Sequence, residues 1–157
     1  MYSKNFKYYV NTINEYLQEF LDRNEFDCDV DLGTDFAYWY SKSLITYTLA
    51  ITDKQGESFV AFAESLFPDI KADVFLWSFL HELGHHETLD DFDGVAHFVY
   101  HQIVNSDIPM SANYYYNLPI EKAATEWAGE FMRNNTDEVY RLWQKVQPVI
   151  KKIYFTI

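Results

Sequence analysis

The chain has 157 residues, of which 48% are hydrophobic, and its 24 acidic residues against 12 basic ones give a formal net charge of −12. This length is typical of one folded domain, so we expect residues 1–157 to form a single domain rather than two. The negative charge repels nucleic-acid phosphates and anionic lipid headgroups, which argues against direct binding to nucleic acid or to a membrane.

The sequence carries no pattern for export or for membrane insertion. Its first residues lack the apolar core and the small-residue cleavage site of a secretory signal. No window approaches the apolar length that spans a bilayer. The lone Cys28 allows no internal disulfide and fits a reducing compartment. We therefore expect a soluble, cytoplasmic protein, although the sequence gives no signal of its oligomeric state.

The first half of the chain predicts one helix followed by a small sheet. Residues 5–21 carry apolar side chains at helical spacing. The segments that follow alternate apolar with acidic residues or are rich in aromatic and β-branched residues, which is typical of strands. They predict four strands, at residues 26–33, 36–40, 44–51 and 59–67, with a turn at 52–58.

The second half predicts helices. Pro68 and Asp69 break the strand pattern, and the apolar period then changes to that of a helix from Asp73 to Thr88. The remaining predicted segments are an acidic loop at 89–94, a helix at 94–105, a tyrosine-bearing loop at 109–117, a helix at 119–134, and a helix at 136–155 interrupted by Pro148. The predicted fold class is α+β, with a small, mainly antiparallel sheet packed with helices.

The segment FLHELGHHE, residues 79–87, contains an H-E-x-x-H motif inside a predicted helix. His81 and His85 are four residues apart, so they lie on one helix face and can bind one zinc ion. Glu82 can then reach the water that zinc polarises and act as a general base. Gly84 is expected to leave room beside the ion. A chance match to this motif is only roughly 1% in a chain of this composition, so we predict a zincin-like active-site helix.

A catalytic zinc ion needs a third protein ligand. The segment PIEKAATEWAGEF offers three acids, Glu121, Glu126 and Glu130. Glu121 is preferred over Glu126 because Ala124 and Ala128 lie on nearly the same helix face and would let this helix approach the metal helix closely. The acids of the loop at 89–94 remain alternatives, but they follow His85 too closely for a separate helix to bring them back.

HELGH, followed about 35 residues later by EKAATEWA, resembles the motifs of the ImmA/IrrE-type metallopeptidases. These are compact zincins of the gluzincin kind, with glutamate as the third zinc ligand. The resemblance covers mainly residues 72–131. It implies that His81, His85 and Glu121 bind Zn²⁺ and that Glu82 is the catalytic base.

Four further residues are candidates for the site. His97 and His101 are again four apart; they can be ordinary helix positions, can stabilise the oxyanion or support the site, or can bind a second metal. Tyr115 can donate a hydrogen bond to the tetrahedral intermediate, or its loop can simply cover the core. Thr125 stands where the family usually has Asn or Asp, so we expect weaker support for a ligand histidine.

The sequence therefore predicts a zinc metallopeptidase whose substrate is a protein or peptide. The family resemblance suggests an intracellular regulatory protein as substrate. The alternative is a catalytically silent zincin-fold protein that binds a partner or regulates it, as in a phage or another mobile element. A DNA-associated protease of the same motif would carry basic patches or a zinc ribbon, and this sequence has neither.

Overall fold

The computed structural model describes residues 5–39, 42–53, 58–66 and 72–153. The elements in chain order are α1 (Phe6–Arg23), β1 (Cys28–Trp39), β2 (Lys42–Asp53), β3 (Ser58–Leu66), α2 (Ala72–Thr88), α3 (Gly94–Val104), α4 (Ala112–Asn117), α5 (Pro119–Asn134) and α6 (Thr136–Ile153), with a 3-10 turn at Leu89–Asp91 between α2 and α3. They fall into two compact units, Met1–Phe79 with Asn135–Ile157, and Leu80–Asn134. That residues 1–157 form one domain stays a prediction.

The sheet in the first unit has three strands in the order β1-β2-β3, and both strand pairs are antiparallel. The α+β class and the antiparallel sheet are thus confirmed. The prediction of separate strands at 26–33 and 36–40 is wrong, because β1 runs through both. Gly33 pairs with Thr48 and Asp35 with Thr46, so the ladder to β2 continues across the apparent break. The predicted turn residues 54–57, the strand ends Tyr40 and Phe67, and the breakers Pro68 and Asp69 lie outside the described residues.

Helix α1 packs beside β1 and protects the open edge of that strand. The apolar face of α1 is buried, with Leu17 and Leu21 both 0% exposed. Its polar residues have a structural role as well: Asn14 Oδ1 accepts a hydrogen bond from Leu32 N at 2.8 Å, and Gln18 Oε1 accepts one from Val30 N at 2.9 Å. These amides satisfy two backbone donors that β1 cannot give to β2, so these two donors are not available to a foreign strand.

Helix α6 passes through Pro148 without a break, so the predicted interruption is wrong. Proline lacks the amide donor and disfavours a helix interior. Here Val146 and Ile150 on either side of it are buried at 0% and 3% exposure. Burial of these apolar side chains offsets the lost hydrogen bond. The predicted helix end at Tyr154 and Phe155 lies outside the described residues.

The second unit contains the C-terminal half of α2 with α3, α4 and α5. Helix α2 begins at Ala72 and ends at Thr88, close to the predicted bounds. The tyrosine segment was predicted as a loop, but it contains the short helix α4. Ser111 caps this helix, because its Oγ accepts a hydrogen bond from Tyr114 N at 3.1 Å. Among the described residues, no helix combines the length and the apolar character that crossing a membrane requires.

Candidate metal centre

The two histidines of the H-E-x-x-H motif lie together on one face of α2. Their ring centroids are 4.7 Å apart. His81 is 7% exposed and His85 is 4% exposed. Leu80 and Leu83, on the other side of the helix, are almost completely buried at 1% and 0% exposure. The apolar residues therefore fix the orientation in which α2 presents both imidazoles.

Glu121, in the first turn of α5, meets both imidazoles. Its Oε2 atom lies 2.8 Å from His81 Nε2 and 3.1 Å from His85 Nε2, and the residue is only 1% exposed. The ligand atoms of these three residues lie within 4.8 Å of one another, and together they can hold a metal ion. Glu126, the other candidate, is not in this group; its side chain is 68% exposed and lies 3.9 Å from Lys122 Nζ.

Helices α2 and α5 come into backbone contact at the centre. A Cβ atom added to Gly84 would lie 2.5 Å from the carbonyl oxygen of Ala124. The space that Gly84 leaves is thus filled by the α5 backbone, and that Gly84 leaves room beside an ion stays a prediction. Ala124 and Ala128 are both 0% exposed, as expected for small residues at a close helix approach. This contact brings Glu121 within reach of the histidines.

We expect Gly84→Ala to lower the free energy of unfolding by about 1–3 kcal/mol, because the new methyl group overlaps backbone that cannot move aside alone. Gly129→Ala is the matched control on α5, since its Cβ would meet only the end of the Arg133 side chain at 3.4 Å. That control should change stability by less than about 1 kcal/mol, in the stabilising direction. Guanidinium unfolding of the metal-free proteins measures both changes in the free energy of unfolding. Equal midpoints for the two variants would contradict the close approach of α2 and α5.

The second oxygen of Glu121 is held by two tyrosines. Tyr100 on α3 donates its hydroxyl to Oε1 at 2.5 Å, and Tyr115 on α4 donates to the same atom at 2.7 Å. Burial and the hydrogen bonds to Glu121 raise the pKa of both tyrosines. Both hydroxyls are therefore protonated at neutral pH and act as donors to the carboxylate.

Glu121 is ionised although it is buried. Burial alone would raise the pKa of this carboxyl, but the hydrogen bonds to His81, His85 and Tyr100, together with the nearby charge of His85, lower it well below its ordinary value. The negatively charged carboxylate of Glu121 therefore faces two imidazole nitrogens. Such a charge attracts a cation.

Thr125 supports the first histidine from α5. Its Oγ1 lies 3.1 Å from His81 Nδ1, and the direction of this hydrogen bond depends on the tautomer of the ring. A contact of this kind fixes the ring orientation of a ligand histidine. Thr125 thus contacts a candidate ligand histidine, and that its support is weaker stays a prediction.

Glu82 is half-buried beside this group. Burial raises the pKa of its carboxyl, and the nearby charges of His85 and His81 oppose that effect. Glu82 also interacts electrostatically with Glu121 and Tyr115. Glu82 thus places a carboxyl group, which can accept a proton, directly after His81 in the helix.

The second histidine pair does not join the metal-binding group. His97 Nε2 forms a hydrogen bond with the carbonyl oxygen of Leu89 at 3.1 Å, which links α3 to the turn before it. His101 is exposed, and its ring lies 5.4 Å from the ring of Tyr100. Within the described part of the chain, the only cluster of three or more such ligand side chains consists of His81, His85 and Glu121.

Comparisons with protein-family models, with curated proteins and with solved structures find no match for this chain. The assignment of the site therefore depends on its own chemistry. Two imidazole nitrogens and one carboxylate oxygen form a donor set that fits a divalent transition-metal ion.

Proposed function

We propose that this protein is a zinc-dependent metallopeptidase of the zincin kind, with an intracellular regulatory protein as its substrate. The observation that carries the proposal is the buried group of His81, His85 and Glu121 with Glu82 beside it. Catalytic zinc sites use three protein ligands, including two histidines with one glutamate, and leave one position for water. His81, His85 and Glu121 would hold the ion.

The residues of the chain supply the proton transfers. When bound, zinc would polarise the attacking water and lower its pKa. Glu82 accepts the proton of this water as its oxygen forms a bond with the peptide carbonyl carbon. The same carboxyl then gives the proton to the leaving amine as the C–N bond breaks. Thr125, which contacts Nδ1 of His81, keeps this ring in place during both steps.

A peptide library tests the activity without knowledge of the substrate. The zinc-loaded protein is incubated with peptides prepared from a whole proteome, and new amino termini are identified by mass spectrometry. We expect termini that appear with zinc, disappear after chelation and return when zinc is restored. A protein that is fully loaded with zinc and cleaves no peptide in the library would contradict the proposal and favour a binding function.

One observation favours such a binding function as the second candidate. Helix α3 buries none of its side chains, and Val95 and Phe98 on it are 71% and 64% exposed. Exposed apolar groups of this kind often mark protein-interaction sites. In a catalytically silent regulatory protein the metal would stabilise the fold, and Glu82→Gln would leave the biological effect unchanged.

A further inference from the structure

We propose that Tyr100 and Tyr115 are positioning residues that occupy one oxygen of Glu121 and so leave the metal ion a single carboxylate oxygen. This inference rests on the metal-binding part of the proposed function, but not on peptide hydrolysis. In this proposal the two tyrosines determine how many protein atoms coordinate the ion. Neither tyrosine is a metal ligand in this arrangement.

The two oxygens of Glu121 have different partners. Oε2 faces the imidazoles, at 2.8 Å from His81 Nε2 and 3.1 Å from His85 Nε2. Oε1 accepts both tyrosine hydroxyls, at 2.5 Å from Tyr100 and 2.7 Å from Tyr115. A carboxylate oxygen offers two lone pairs in its plane, so two donors saturate Oε1. Oε2 becomes available to an ion, because the two imidazoles that face it must present unprotonated Nε2 atoms when they bind a metal.

This division of the oxygens determines what else an ion can bind. A glutamate that coordinates through both oxygens would take up a further position on the metal. With Oε1 occupied, His81, His85 and Glu121 supply three donor atoms, which leaves one position open in a four-coordinate zinc site. An open position is what distinguishes a catalytic centre from a structural one.

The two donors come from different helices, Tyr100 from α3 and Tyr115 from α4. Loss of one hydroxyl leaves the other bonded to Oε1, so a single variant should change the centre only in part. Loss of both frees Oε1, which can then coordinate the ion. The expected behaviour is therefore a graded response to the single variants and a larger response to the double variant.

The test uses Co²⁺ as the probe, because its visible absorption bands weaken as the coordination number rises from four to five. We expect strong four-coordinate bands for the wild type and for Tyr114→Phe, the matched control, whose side chain is exposed in the same helix. The double variant Tyr100→Phe/Tyr115→Phe should show weaker, five-coordinate bands. Competition with a chelator should show an affinity for Co²⁺ that is about 10- to 100-fold lower.

A double variant with the bands and the Co²⁺ affinity of the wild type would overturn the proposal. If the double variant does not fold, as judged by circular dichroism, the single variants decide: each should lower the affinity, and unchanged affinity in both overturns the proposal. A protein that shows these spectral changes but cleaves no peptide would refute the peptidase function and support the role of the tyrosines. Absence of Co²⁺ binding by the wild type would overturn both the peptidase function and the role of the tyrosines.

Discussion

Glu82→Gln should lower the rate of peptide hydrolysis by about 10²- to 10⁴-fold, the usual contribution of a general base. The amide has nearly the size of the carboxylate but cannot accept the proton of the attacking water. Metal content should stay at the wild-type level, because Glu82 is not in the group of His81, His85 and Glu121. The ratio kcat/KM for a peptide from the library checks the loss of activity, and the metal content of the same sample checks that the site remains occupied.

Glu87→Gln is the control for this variant. Glu87 lies on the same helix, is exposed, and is not in the metal-binding group. It should keep the activity of the wild type. If Glu82→Gln hydrolysed the peptide as fast as Glu87→Gln, Glu82 would not be the base. If it lost the metal as well, its carboxylate would be needed for binding rather than for catalysis.

Glu121→Gln should abolish stoichiometric metal binding, with a loss of affinity of at least about 100-fold. Replacing residues that only support a ligand already costs about 10- to 100-fold, and the change here removes the charge of a ligand itself. Glu126→Gln on the same helix should keep full binding, because that side chain is exposed beside Lys122. Metal content after dialysis against a weak chelator separates the two variants.

The Glu121 variant also changes the contacts of two buried imidazoles, so its fold needs a separate check. Circular dichroism of the metal-free protein shows whether the helices remain, and His81→Ala provides a second variant with the same expected loss of metal. Full occupancy in both Glu121→Gln and His81→Ala would show that the ion binds elsewhere. Loss of metal from Glu126→Gln would transfer the role of third ligand to that residue.

The histidine pair could be predicted from the sequence because its geometry is local. Residues four apart on a helix share a face whatever the rest of the chain does. Local spacing alone did not predict Glu121 as the third ligand. Only the small residues of α5 and the family resemblance favoured it over Glu126. Tyr100 was missed, and no spacing in the sequence identifies it, because its contact with Glu121 depends on how α3 lies relative to α5.

The wrong predictions about the fold have the same origin, since they too depend on contacts between elements. Gly33 and the polar residues after it suggest a break between strands, but pairing with β2 keeps β1 continuous. Pro148 suggests the end of a helix, but burial of Val146 and Ile150 keeps α6 intact. In both places tertiary contacts override a local preference. Such contacts are visible only once the partner element is in place.

The most direct test of the whole account is a crystal structure of the zinc-soaked protein with anomalous diffraction data from both sides of the zinc absorption edge. We expect one strong peak in contact with His81 Nε2, His85 Nε2 and Glu121 Oε2, and a solvent molecule as the remaining ligand within reach of Glu82. A peak away from these three residues, or a fourth protein ligand in place of the solvent molecule, would contradict the assignment of a catalytic metal centre.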